Sequence, residues 1–211
     1  MTTATVEGSV TSRTHSPLSA LAGVGALACF AAATVLSGDS MGGSDTPAEA
    51  AAALESSHAQ LAAVLVGGYA LLAIAVTGGL AVRLRRGGDS AAVRLLPLLG
   101  AVHVLLLAAT FAAPGAAVGV GTYVFDGGVS ANATEAALVL MNTAHPMAAW
   151  VGAGFLIAVA LAARTAAASR ALVVVSAVCA LGLLLPPVGW AVTYLMAFWF
   201  AGVGVWLWRR G

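Results

Sequence analysis

The chain has 211 residues, of which 61% are hydrophobic and 8% charged, with a formal net charge of +1. An average soluble domain carries about 25% charged residues, so ordinary water-soluble folding is excluded and an integral membrane protein is expected. Near-neutral charge without a basic patch excludes a nucleic-acid partner and leaves the lipid bilayer as the expected surroundings.

A bilayer-crossing helix needs about 20 mostly apolar residues. After a polar tail at 1–16, six stretches of one bundle (17–211) qualify: 17–37, 59–82, 94–113, 146–163, 171–186 and 189–207. The first has a competing reading as a secretory signal cleaved near "AAATVLSG", although about 20 apolar residues exceed an ordinary signal core. Cys29 and Cys179 lie within apolar runs and read as packed small side chains, not as a disulfide.

The linker after the first span contains "GDSMGG", 38–43, which resembles the setting of a serine-protease nucleophile. No second signature supplies a base or an oxyanion hole, so it reads as a glycine-rich connection. Thr46-Pro47-Ala48-Glu49 then spells a capping box that opens a short helix. Ser56-Ser57 should bend that helix into the second span, with His58 at the corner.

His103 falls near the middle of the third span, where a polar side chain is costly; a hydrogen bond to a neighbouring helix is its plain role. By the span limits it should lie about 15 Å deeper than the corner histidines. The stretch 114–128, "PGAAVGVGTYVFDGG", is apolar but rich in glycine, and reads as a surface or re-entrant segment. Asn132-Ala-Thr-Glu135 repeats the capping grammar before His145, and Pro146 should force the second bend. "LPPVG", 185–189, joins the last two spans as a hairpin.

All nine basic residues are arginines: Arg13, Arg83, Arg85, Arg86, Arg94, Arg164, Arg170, Arg209 and Arg210. The spans place every one on a single side, while Asp39, Asp45, Glu49, Glu55, Asp126 and Glu135 fall on the other. The positive-inside rule then makes both termini cytoplasmic and the cell membrane the expected location. The fold expected is an all-α transmembrane bundle of six spans and two short outer helices. A parallel repeat, 17–86 and 94–164, would be followed by the terminal hairpin. Gly68 and Gly154 are the small residues expected at helix–helix contacts.

No motif carries a resemblance to a characterised family, and no catalytic machinery is legible. The first functional reading is an accessory, sensory or binding membrane subunit without a cofactor, partnered by its own copies or another membrane subunit. The second is a transporter or channel for a small uncharged solute. The third is a redox protein holding haem between His58 and His145, or a divalent metal at His58, His145 and Glu55, since imidazole and carboxylate suit such an ion.

Overall fold

A computed structural model describes residues 17–37, 46–55, 57–124 and 127–210. Arg13, Asp39, Asp45, Ser56, Asp126 and the "GDSMGG" stretch lie outside these. The described residues form seven α-helices and no strand: α1 Leu18–Ser37, α2 Pro47–Glu55, α3 Ala59–Arg85, α4 Ala91–Tyr123, α5 Ala131–Thr165, α6 Arg170–Leu184 and α7 Pro186–Arg210. Five of them, α1, α3, α4, α5 and α7, are long and apolar enough to cross a bilayer. The expected fifth span falls short: α6 has 15 residues, about 22 Å of helix against about 30 Å of hydrocarbon.

The six larger helices close a ring. Each packs on the next in the order α1, α3, α4, α5, α6, α7, and α7 returns to α1. The interior is built from alanine, aromatic rings and small residues, with Tyr69, Phe155 and Phe200 among its largest fully buried side chains. The exterior shows Val64, Leu71, Leu98, Leu105, Leu161 and Phe198 exposed. An apolar exterior of this kind needs lipid to cover it. The protein is an α-helical membrane bundle.

Between helices in lipid there is no water to exclude, so close backbone approach carries much of the packing. At the α1–α7 seam, a Cβ on Gly23 would lie 2.8 Å from the Phe200 carbonyl, and one on Gly204 would strike that of Ser19. Threonine hydroxyls inside the bundle are returned to their own helices. Thr77, Thr110 and Thr193 bond the carbonyls of Ala73, Leu107 and Gly189. Trp199 crosses instead to Ser176, tying α7 to α6 at 3.2 Å.

Every arginine among the described residues lies at one end of the bundle, at the α3–α4 turn, the α5–α6 turn or the end of α7. At the other end the expected corners divide. The first forms as read: Thr46 and Glu49 exchange both bonds of a capping box. Ser57 accepts from Ala59 N–H and donates to the Leu54 carbonyl, closing α2 and opening α3. The second corner is absent. Ser130, not Asn132, caps the helix by accepting from Ala133 N–H, and α5 runs unbroken through Pro146 for 35 residues. The second outer helix is the start of α5 itself.

The segment 114–123 is also corrected, since it is helical and completes α4. Its glycines serve contact. A Cβ on Gly115 would fall 2.7 Å from Ala63 Cβ and 2.8 Å from the Ala59 carbonyl. Packing against α3 thus offsets the weak helix propensity of glycine. With α3, α4 and α5 at 27, 33 and 35 residues, or about 40–52 Å, these helices project beyond the shorter α6–α7 hairpin.

Candidate functional site

Beside the short α6 lies a cavity of about 410 Å3, where α4, α5 and the hairpin tip meet at the arginine-free end. Five rings line it: Phe111 from α4, His145 and Trp150 from α5, Trp190 and Tyr194 from α7. Trp190 and Tyr194 lie with centroids 4.9 Å apart, and the His145 ring leans on both at 6.3 and 6.2 Å. The rings continue inward from Tyr194 to Phe30, Tyr69 and Phe200. A volume of this size falls within the range of small-molecule sites.

Few polar atoms punctuate this apolar wall. His145 Nε2 is buried with no hydrogen-bond partner among the described residues, while the Trp190 backbone lies within reach of the same ring. Two prolines add to it. Pro146 has no N–H, so the carbonyl of Asn142 loses its i+4 donor; Pro114 does the same to Thr110. Asn142 and Thr110 both line the cavity. The lining thus combines aromatic rings with an unpartnered imidazole nitrogen and two residues whose carbonyls lack their helical donor.

His103 lies just beneath. Its ring is fully buried on α4, and Nδ1 sits 2.8 Å from the Ala148 carbonyl of α5. A carbonyl only accepts, so Nδ1 carries the proton and a neutral ring presents Nε2 as an acceptor. That Nε2 has no partner among the described residues. Gly152 makes the space: a Cβ there would fall 2.7 Å from Nδ1. Because Ala148 follows His145 by one helical turn, His103 lies about one to two turns below His145, not the expected 15 Å.

His58 and His145 do not stand level. The Ala59 carbonyl lies beside Gly115 of α4, and Ala113 and Ala117 pack on Ala137 of α5. His58 thus matches the height of Ala137, and His145 follows about eight residues later, about 12 Å nearer the arginine end. His58 is exposed at the head of α3, whereas His145 is half-buried. Their equivalence in a repeat does not hold, and α4 stands between their helices. Glu55 lies over Gly128 in the α4–α5 turn, where its carboxylate would meet a Cβ at 2.7 Å. The proposed ligands His58, His145 and Glu55 are not brought together. Among the described residues no three His, Cys, Asp or Glu side chains form a metal-holding group.

Sequence reasoning missed the aromatic enclosure. Trp190 and Tyr194 are one turn apart on α7 and Pro186 precedes them, a visible pattern, but only the short α6 reveals that they face His145. Comparison with known families, with characterised proteins and with solved structures finds no match to this chain.

Proposed function

We propose that the protein is a membrane binding subunit whose cavity takes a small, neutral, ring-bearing ligand carrying one hydrogen-bond donor. The observation that carries this reading is the buried, unpartnered His145 Nε2 inside an aromatic enclosure of about 410 Å3. Leaving such an atom unpaired costs about 1–3 kcal/mol, and a donor on a bound ligand removes that cost. The apolar walls favour a ligand that partitions into lipid. The positive-inside rule puts the arginine end in the cytoplasm and the cavity at the outer interface of the cell membrane.

The test uses 4-bromophenol, a neutral ring with one hydroxyl whose bromine quenches nearby indoles. Titrated into the full chain in nanodiscs, it should quench saturably. His145→Leu should weaken binding roughly five- to tenfold, the worth of one hydrogen bond, and Trp190→Phe should remove much of the quenching. Linear, unsaturable quenching unchanged by His145→Leu would refute the reading.

A second reading, passage of a small uncharged solute, is favoured by one observation. The acceptor at His103 lies directly below the cavity, on the face of α4 that carries Thr110 seven residues later. Liposome flux that depends on His103 would support passage over binding alone.

A further inference from the structure

At the arginine end lies another cavity of about 410 Å3. Three separate parts of the chain build it: Arg83 and Arg86 at the end of α3, the α5–α6 turn, and Trp206 with Arg210 on α7. The two turns abut because Gly87 has no side chain; a Cβ there would fall 2.5 Å from Ala166 Cα. Ala167 takes a left-handed φ of 46° to complete the turn. Ser169 then caps α6 without a hydrogen bond from its side chain, which leaves the partial positive charge of the first amides at the cavity rim.

The donors here outnumber their acceptors. Arg83 Nε and Trp206 Nε1 are both buried with no partner among the described residues. No acidic side chain lines the cavity. Among the described residues the only carboxylate at this end is Asp89. It is already engaged, accepting from Arg94 Nη2 at 2.7 Å and Nε at 3.1 Å, which holds its carboxyl below the usual range. Arginines that serve topology alone need only lie near the head groups. Here three arginines and a tryptophan from two helices line one cavity.

We propose that this cavity binds a phosphate group, held by Arg83, Arg86 and Arg210 with Trp206 Nε1 as an added donor. A planar guanidinium matches phosphate oxygens in pairs, and basic pockets between membrane helices on the cytoplasmic side suit phosphate head groups. The same chemistry has two sources, an anionic phospholipid of the adjacent leaflet and free phosphate from solution. This inference does not depend on the aromatic cavity.

The test is thermal unfolding of the full chain in an uncharged detergent at fixed ionic strength. One arm adds inorganic phosphate against sodium chloride; the other adds phosphatidylglycerol against phosphatidylcholine. At least one arm should raise the midpoint by several degrees, and that arm identifies the source. The shift should fall by half or more in Arg210→Gln and Trp206→Phe, and persist in Arg85→Gln, whose arginine lies outside the cavity. Arg83→Gln should behave likewise, but Arg83 is half-buried, so the exposed Arg210 carries the test if that variant does not fold. No shift in either arm, or an equal loss in Arg85→Gln, would overturn the proposal.

Discussion

Gly152 and Gly154 stand two residues apart on α5 and face different surroundings. A Cβ at Gly152 would press on His103 Nδ1 at 2.7 Å, while one at Gly154 would meet nothing within 4 Å. Gly152→Ala should therefore push the imidazole off the Ala148 carbonyl and cost about 1–3 kcal/mol. Gly154→Ala should be neutral or stabilising by up to about 1 kcal/mol, because alanine favours the helix. Thermal unfolding in detergent compares them, and equal shifts would mean that Gly152 does not seat His103. The sequence alone pointed to Gly154 and Gly68 as packing positions. A Cβ on Gly68 would meet only Cys29 Sγ, at 3.4 Å. At 100° per residue, glycines two apart point to nearly opposite sides, and which one faces a neighbour depends on the assembled bundle. A glycine letter carries no such direction.

At the scale of the element, α5 shows why boundaries were harder to read than existence. The apolar run was plain, and the capping box at Thr46 and the Ser57 corner are local chemistry that the sequence displays. Proline removes a helical hydrogen bond, so the sequence predicts a bend at Pro146. The helix instead continues, and the missing N–H deprives the carbonyl of Asn142, a residue that lines the cavity, of its helical donor. The same holds for "PGAAVGVGTY", whose helicity depends on the backbone of α3 packing against Gly115. Both cases turn on contacts distant in sequence. Pro146→Ala restores the Asn142 bond, so the variant should melt at a higher temperature than wild type and bind 4-bromophenol more weakly. A gain in stability with unchanged binding would remove the proline-freed carbonyl from the site.

Across the whole molecule, the arginines divide the bundle into two ends with different chemistry, one cationic and one aromatic. If the positive-inside rule sets its orientation, a single cysteine at Gly127 should react with an impermeant reagent in intact cells. One at Gly88 should react only after permeabilisation. Both positions are exposed, and Cys29→Ser with Cys179→Ser supplies the background. Labelling of Gly88→Cys in intact cells would reverse the orientation. The apolar exterior was legible from composition; the aromatic cavity was not, because it arises from unequal helix lengths, with α6 at 15 residues beside α5 at 35. Whether that cavity holds a ligand is measured most directly by the position of bromine, by anomalous scattering, in crystals of the full chain soaked with 4-bromophenol. A bound ligand places a peak among His145, Trp190 and Tyr194 that is absent in crystals of His145→Leu. Bromine found only along the lipid-facing surfaces, with the cavity empty, would refute ligand binding there.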